Sequence, residues 1–344
     1  MRALPAQRLA RLRLAAQRLT PETAASDPLE AARSVVGIQA QDPRAAALAL
    51  RSRVPGLNRD AIDHEARLIR TWTVRGTVHL IAADDLPWLH ALTGQRNARR
   101  YEALIEKRGD LDLARSLLTG IAELLEREPL SRADLLAGLA ASGRDPLGDR
   151  AVNVLMPWLA AQGVVAGLPD GRFRAAEPPP PVDEDEALGI LARRYLEGYG
   201  PAGPEDLAKW SGLPLGLSRR ALDSAGELDS AGPLLALPGS LDAEPPPAPP
   251  ALLLAAFDTA MLGWRTREPL VAAGDDHHVL PGGGIVRPVA MARGRAAGTW
   301  RVGGAGARRR LEADWFGRRP SRSALGAEVA DVGRFLGVDL QPAA

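Results

Sequence analysis

The fold of the N-terminal region is decided by the stretch LIRTWTVRGTVHLIAA, residues 68–83. Its two halves are rich in β-branched and apolar residues, and the pair Arg75-Gly76 between them is a turn signal. The stretch therefore predicts two antiparallel strands. Helical patterns precede it, with Leu and Ala at helical spacing over residues 4–19 and a helix beginning at Pro43. Helices followed by a β-hairpin are the order of elements in a winged helix.

The same order recurs in the next segment. A capping box formed by Ser131 and Asp134 opens a helix that ends at Ser142-Gly143. A second amphipathic helix follows over 149–163, and VVAGLPDGRFRAA, residues 164–176, predicts two strands joined at a Pro-Asp-Gly turn. This segment is a second candidate winged helix.

A third copy follows with a smaller wing. ALGILARRYLEGYG at 187–200 predicts a helix with a glycine stop, and Pro204 opens a second helix whose early acids suit the helix dipole. The candidate recognition helix is LSRRALDSAG at 217–226, and ELDSAGPLLALPG at 227–239 is a minimal wing.

The C-terminal part consists of short β-runs separated by glycine-rich turns, which predict a small antiparallel sheet or barrel followed by a helix over 324–337. Two proline-rich stretches, 177–186 and 244–251, read as linkers. We therefore expect an α+β protein with three tandem winged helices, each containing a helix-turn-helix, and a C-terminal antiparallel, barrel-like domain. The predicted domains are 1–110, 111–176, 187–243 and 252–344.

The composition narrows the possible functions. With 344 residues, 46% hydrophobic and 25% charged, the chain predicts a globular protein of more than one domain. It has no cysteine and five histidines, which excludes thiolate, disulfide and iron–sulfur chemistry, and we expect no metal and no cofactor. A charged amphipathic start and the lack of about eighteen consecutive apolar residues predict a cytoplasmic protein without membrane contact. We also expect a monomer.

The charge is unevenly distributed although the net charge is only +1. Residues 177–250 are acid-rich, whereas 285–322 are basic and contain Arg308, Arg309 and Arg310 in a row. Such asymmetry favours a surface that binds a polyanion. The alternative for each arginine is a solvated surface position, and the near-absence of lysine suggests coding bias.

Common catalytic motifs are absent from the sequence, including the phosphate loop GxxxxGK, HExxH and GxSxG. The run PGGG at 281–284 lies between β-runs, so a hairpin turn is favoured over a phosphate site. Adjacent His277 and His278 would point to opposite faces of a strand, so a polar loop is favoured over a metal site.

A pair of glutamines is the most informative local feature. Gln39 and Gln41 are separated by one small residue just before the helix that begins at Pro43. Two amides at a spacing of two share one side of an extended chain. The alternative is that they cap or bridge the start of the helix.

Several motifs together resemble the winged-helix DNA glycosylases typified by AlkZ and YcaQ. The resemblance covers nearly the whole chain, in the family's order. The segments that carry it are RLAAQRL at 13–19, VVGIQAQDPRAAALALRSR at 35–53, TWTVRGTVHLIAADDLPWL at 71–89, RYLEGYGPAGPEDLAKWSGL at 194–213, FDTAMLGWRTRE at 257–268, GGGIVRPV at 282–289 and GTWR at 298–301.

The resemblance implies a DNA-bound enzyme that hydrolytically removes alkylated purines, including N7-linked guanine adducts and, in some members, interstrand crosslinks. Its catalytic signature of Gln, an apolar residue, then Gln or Asp is matched by Gln39, Ala40 and Gln41. The two-glutamine form resembles the crosslink-unhooking subgroup. Double-stranded DNA with alkylated bases is thus the implied partner, and the role is either general repair or self-resistance to a DNA-alkylating metabolite.

The chemistry agrees with this implication. Glycosidic cleavage passes through an oxocarbenium-like transition state, and an N7-alkylated guanine already carries the positive charge that makes it a good leaving group. Neutral amides can then suffice by orienting water and stabilising positive charge. We assign water placement to Gln41 and substrate positioning to Gln39. The only lysines, Lys107 and Lys209, are distant from the pair in sequence, so we expect no lyase activity.

Other candidate residues have two interpretations each. Arg75, Thr77 and His79, in the family-like segment RGTVH, either approach DNA or support the glutamine pair, with support favoured. Trp72 and Trp88 either stack on a base or belong to the core, with the core favoured. Arg308–Arg310 suit a hairpin that reaches DNA phosphate.

The sequence therefore predicts a monofunctional DNA glycosylase. The alternatives are a non-catalytic winged-helix regulator or repair accessory protein, and a self-associating structural protein that would need no basic groove.

Overall fold

The computed structural model describes residues 4–107, 111–143 and 149–342. Helices surround a β-hairpin in the first segment, as predicted from residues 68–83. The elements are α1 (Ala6–Ala16), α2 (Pro28–Ser34), β1 (Ile38–Gln39), α3 (Pro43–Arg51), α4 (Arg59–Asp63), β2 (Leu68–Trp72), β3 (Val78–Ala82) and α5 (Leu86–Glu106).

Local signals explain where α2 and α3 begin. Asp27 precedes α2 and accepts a hydrogen bond from the Glu30 backbone N–H, and Asp42 does the same for Arg44 at the start of α3. Proline follows each cap at the first helical position, where its missing N–H costs nothing. The cap at Asp42 fixes the direction of the chain directly after the glutamine pair.

The second segment completes the first sheet rather than forming one of its own. Ser131 caps its second helix, as predicted, and the Arg70–Gly167 pairing joins its hairpin to β2. A Cβ on Gly167 would lie 2.7 Å from the Arg70 carbonyl oxygen, so this close approach requires glycine. The elements are α6 (Leu111–Arg127), α7 (Arg132–Ala141), α8 (Asp149–Ala161), β4 (Val165–Gly167) and β5 (Phe173–Ala175). The sheet order is β1-β3-β2-β4-β5.

The third segment contains the predicted three helices and short hairpin. Its first helix packs against α5 and α1, and a buried aromatic cluster of Tyr195, Tyr199, Trp210 and Trp264 ties it to the C-terminal region. The elements are α9 (Glu184–Tyr199), α10 (Pro204–Ser211), α11 (Leu215–Asp223), β6 (Asp229–Ala231) and β7 (Leu234–Ala236).

The elements of the C-terminal region are β8 (Ala251–Leu254), α12 (Thr259–Leu262), α13 (Asp276–Val279), β9 (Val289–Ala292), β10 (Arg295–Gly303), β11 (Arg308–Trp315), α14 (Arg322–Leu336) and β12 (Asp339–Gln341). The strands form a second five-stranded sheet, of order β12-β11-β10-β9-β8. Two parts of the prediction need correction. The strands are not all antiparallel, because α14 is a helical crossover that returns the chain parallel to β11. The sheet is also open, since its edge strands β8 and β12 are not paired with each other, and it fits a half-barrel.

Two smaller predictions in this region have different outcomes. The glycine-rich run forms the predicted turn, with Gly282 bridged to Ile285. The histidine pair, predicted as a polar loop, instead lies in the single helical turn α13, where the rings of His277 and His278 are 4.0 Å apart. The His278 ring stacks on Phe316 at 4.7 Å, so packing explains the difference.

The second proline-rich stretch is packed against α1. Arg11 donates to the Pro246 carbonyl oxygen at 2.9 Å and to Glu244 at 2.7 Å. Deeper in the molecule, Arg53 at the end of α3 pairs with Asp258, the cap of α12, at 2.8 Å, and both side chains are fully buried. The first and last parts of the chain are thus joined through one core. Among the described helices, none is long and apolar enough to cross a membrane.

Candidate active site

The glutamine pair lies where β1 leaves the first sheet. Gln39 is the last residue of β1, directly opposite His79 on β3, and Ala40 continues the pairing by donating its N–H to the Val78 carbonyl oxygen. Gln39 is 7% exposed, whereas Gln41 is exposed. Nε2 of Gln39 donates to Oε1 of Gln41 at 3.0 Å, so the two side chains share one side. Neither caps α3, because Asp42 does so.

A strained backbone delivers the chain to this position. Val36 has φ 55° and Gly37 has φ 99°, both left-handed conformations, and the first is rare for a β-branched residue. A Cβ on Gly37 would lie 2.6 Å from Cγ2 of Ile81. The absence of a side chain at Gly37 therefore allows β1 to lie against β3 and brings Gln39 beside His79.

Arg75 connects Gln39 to a distant helix. One of its guanidinium nitrogens donates to Oε1 of Gln39 at 3.1 Å, and another donates to the Trp210 carbonyl oxygen in the last turn of α10. Burial lowers the pKa of Arg75 from its ordinary value. It still carries its charge, because arginine is not deprotonated in proteins, and the negative end of the α10 dipole favours that charge.

The turn that carries Arg75 is held in place by α5. Arg75 itself has φ 58°, a conformation that costs about 1–2 kcal/mol for a residue with a side chain. Arg100 donates to the Arg75 carbonyl oxygen at 2.9 Å, Tyr101 donates to that of Gly76 at 2.7 Å, and Asn97 donates to that of Thr73 at 2.8 Å. These contacts fix the conformation that aims the guanidinium at Gln39.

His79 is buried and neutral. Its Nδ1 lies 3.0 Å from the Thr77 carbonyl oxygen and 3.0 Å from the Thr73 hydroxyl. Because a carbonyl oxygen can only accept, this geometry assigns the proton to Nδ1. Desolvation, reinforced by the charge of Arg75, lowers the pKa of His79 from 6.5 to about 3. His79 is therefore not a proton donor near neutral pH.

The remaining predicted residues have different surroundings. The Thr77 hydroxyl donates to the Val74 carbonyl oxygen within the turn. The core interpretation of the tryptophans is confirmed, since Trp88 is 5% exposed and Trp72 packs between two apolar clusters. No cluster of three or more potential metal-ligating His, Cys, Asp or Glu side chains occurs within the described residues.

The basic run lies on the β10–β11 hairpin. Arg308, Arg309 and Arg310 begin β11 directly after the turn at 304–307, and Arg308 pairs with Asp339 at 3.4 Å. Among the described contacts, none of the three forms a hydrogen bond or ion pair with the glutamine pair. The structure therefore brings together Gln39, Gln41, Arg75 and His79, and leaves the basic run on another element.

Sequence reasoning missed the residues that hold Arg75. Asn97, Arg100 and Tyr101 are ordinary helix residues in the sequence, and Trp210 contributes only a backbone carbonyl oxygen, so no motif marks them. The only local hint of them was the Arg75-Gly76 turn. The backbone carbonyl groups of such a turn need hydrogen-bond donors, which implies that other side chains lie against it.

The family is shown by residues 32–335, which match the family described as DNA glycosylase AlkZ-like. The chain belongs to this family of DNA glycosylases. It is 27% identical over 303 residues to the interstrand DNA cross-link repair glycosylase of Streptomyces sahachiroi, covering 77% of this chain and 80% of that protein. The solved structure of the Streptomyces sahachiroi DNA glycosylase AlkZ is similar over 100% of both chains, with a TM-score of 0.79 at 23% identity. The AlkZ-like resemblance of the sequence motifs is confirmed, and the structural likeness shows a shared fold.

Proposed function

We propose that this AlkZ-like chain is a monofunctional DNA glycosylase that hydrolyses the N-glycosidic bond of cationic N7-alkylguanine. The observation that carries the proposal is the oriented pair, in which Gln39 is anchored by Arg75 and donates to the exposed Gln41. The relative named as an interstrand DNA cross-link repair glycosylase supports extending the proposed substrates to interstrand crosslinks.

The hydrogen-bond directions suggest different roles for the two amides. Arg75 occupies Oε1 of Gln39, so Gln39 must present Nε2 to Oε1 of Gln41. Gln41 keeps its own NH2 group and a second lone pair for a ligand, and its side chain is exposed. We therefore assign two roles to Gln41: it orients the attacking water and it stabilises the positive charge that develops on the sugar. Gln39 positions the Gln41 side chain.

The reaction needs no acid from the protein. The bond between C1′ and N9 breaks, and its electron pair leaves with the base and neutralises the charge that alkylation placed on the guanine ring. The water oxygen bonds to C1′, and its proton passes to solvent. Amides and a neutral His79 cannot protonate a poor leaving group, so neutral bases should not be released.

We propose that DNA is held by three winged helices, over 1–110, 111–176 and 187–243, and by the C-terminal domain over 252–344. Arg308, Arg309 and Arg310 contact phosphate, whereas Arg75, Thr77 and His79 support the glutamine pair. The enzyme acts as a monomer on nucleoid DNA in the cytoplasm, without metal or cofactor. The role is general repair if the damage comes from general alkylation. It is self-resistance if the damage comes from a DNA-alkylating metabolite.

The proposal is tested by single-turnover excision from oligonucleotides that carry one N7-methylguanine, one uracil or one 8-oxoguanine. Wild-type protein should release the methylated base and leave uracil and 8-oxoguanine in place. Gln41→Ala should lower the rate by about a hundredfold or more, the range for loss of one positioned polar group, with DNA affinity nearly unchanged. Gln162→Ala, an exposed glutamine at the end of α8, is the matched control.

Two results would contradict the mechanism. Full activity of Gln41→Ala, or efficient uracil release by the wild type, would remove the glutamine pair from catalysis. Specific DNA binding without any base release would instead favour the non-catalytic regulator.

A further inference from the structure

Several surface arginines of this chain have a carboxylate partner, as in Arg67–Glu65, Arg220–Asp185 and Arg301–Glu312. One end of the C-terminal sheet differs. Four arginines line an open cleft of about 470 Å³ there, and the only acidic residue in its lining is Asp275. None of these four arginines belongs to an ion pair among the described residues. These four residues, which we call the arginine cleft, are Arg293, Arg295, Arg318 and Arg319.

The first wall of the arginine cleft is the two-residue turn between β9 and β10. Arg293 has φ 49° and Gly294 has φ 81°, so both central residues are left-handed, as a type I′ turn requires. Asn, Asp or Gly is normally found at the first of these positions, because other side chains are strained there. Arg293 is nevertheless exposed in this conformation, and strain of this kind is concentrated at functional sites.

The second wall follows β11 and is firmly held. The N–H groups of Phe316 and Gly317 both donate to the Ala297 carbonyl oxygen, at 3.0 and 2.9 Å. The Arg319 guanidinium lies over the Trp315 ring at 5.7 Å. The segment thus presents Arg318 and Arg319, both exposed, from a fixed backbone.

The arginine cleft is distant from the basic run already described. β10 begins at Arg295 beside the cleft and ends at Gly303 beside the hairpin that carries Arg308, so the two lie at opposite ends of a nine-residue strand. Such a strand spans about 30 Å. This separation is close to one turn of B-form DNA, about 34 Å.

We propose that the arginine cleft binds backbone phosphates of duplex DNA away from the lesion. Guanidinium groups bind phosphate oxygens in pairs of parallel hydrogen bonds, and four of them without carboxylate partners make a site for consecutive phosphates. The proposal rests on DNA as the substrate of this family, and it does not depend on the glutamine mechanism.

The test compares Arg293→Asn, Arg318→Ala and Arg319→Ala, singly and combined, with the wild type. The affinity for an undamaged duplex of about three helical turns is measured by fluorescence anisotropy over a range of salt concentrations. A plot of the logarithm of the binding constant against the logarithm of salt concentration has a negative slope. Each lost phosphate contact should make this slope less steep by about 0.9. The control is Arg67→Ala with Arg301→Ala, which removes paired arginines and should leave the slope unchanged.

Arg293→Asn adds a second measurement, because asparagine suits the turn better than arginine. This variant should unfold at the same or a higher urea concentration than the wild type while binding duplex DNA less tightly. Weaker binding therefore cannot be explained by misfolding.

The combined variant decides the outcome. A salt slope of the combined variant equal to that of the wild type would overturn the proposal. Excision of N7-methylguanine at saturating enzyme is measured in parallel. An unchanged slope with normal excision would reject the arginine cleft alone, whereas a reduced slope together with no excision by the wild type would support the cleft and reject the proposed glycosylase activity.

Discussion

Arg75 donates to Oε1 of Gln39 across 3.1 Å, and this single hydrogen bond fixes which way the Gln39 amide faces. The same guanidinium donates to the carbonyl oxygen of Trp210, 135 residues further along the chain. Helix α10 of the third segment thereby sets the orientation of the glutamine in the first. The consequence is that the exposed amide of Gln41 is prepared before any substrate arrives.

Removing the Arg75 guanidinium should impair catalysis through Gln39. We expect Arg75→Met to lower the single-turnover excision rate by up to about a hundredfold, the cost of a small misplacement of a catalytic group, with duplex affinity nearly unchanged. In a Gln39→Ala background, Arg75→Met should lower the excision rate little further. The effects of two residues that act as a unit are not additive. Fully additive losses would show that Arg75 acts independently of Gln39.

Base release should leave the DNA backbone intact. Strand-cleaving glycosylases form a Schiff base with an amine, and the only lysines here are Lys107, at the end of α5, and Lys209, on α10, both exposed. We expect nicking only after alkali or heat. A protein–DNA adduct trapped by borohydride would contradict this, and its loss in Lys209→Ala or Lys107→Ala would identify the amine.

The basic run on the β10–β11 hairpin should contribute to DNA affinity. Replacing Arg308, Arg309 and Arg310 with alanine should reduce the salt slope of duplex binding by about one to three, because each neutralised phosphate releases counterions. Arg308 also pairs with Asp339, so its own contribution should be the smallest of the three. A slope that stays at the wild-type value would exclude this hairpin from the interface.

His79 should make stability depend on pH in acid. Its pKa in the folded protein is about 3 against an ordinary 6.5, so between these values the unfolded chain binds a proton that the folded one does not. The free energy of unfolding should therefore fall as pH drops from 6.5 towards 3, by at most about 1.4 kcal/mol per pH unit from this residue. Urea unfolding of His79→Asn should show a shallower dependence, with His64→Asn as the surface control. An identical dependence in His79→Asn would disprove the assignment.

The buried pair of Arg53 and Asp258 should be essential for stability. Arg53→Met leaves a buried carboxylate without its cation, and we expect a loss of about 3–5 kcal/mol in urea unfolding. Adding Asp258→Asn removes that charge and keeps an oxygen for the cap of α12, so the double variant should recover part of the loss. A double variant no more stable than Arg53→Met would argue against unpaired charge as the cause.

Sequence patterns alone predicted the features that depend on neighbouring residues. The hairpin at 68–83, the helix start at Pro43, the cap at Ser131 and the glycine turn at Gly282 all arise within a few residues, where backbone geometry and local hydrogen bonds decide the conformation. The family could likewise be predicted from motifs that are contiguous in the chain. Gln39 and Gln41 were found this way, because a spacing of two places both amides on one side.

Only the tertiary structure decided how these pieces meet. Three features depend on surfaces that are far apart in sequence. They are the joining of two hairpins through Arg70 and Gly167, the parallel return of β12 after α14, and the hydrogen bonds from Arg75 to Gln39 and Trp210. Their formation is governed by how complementary faces bury apolar area and satisfy polar groups, which no short pattern encodes. The sequence by itself identified the amides of the candidate site, and packing determined which of them is exposed.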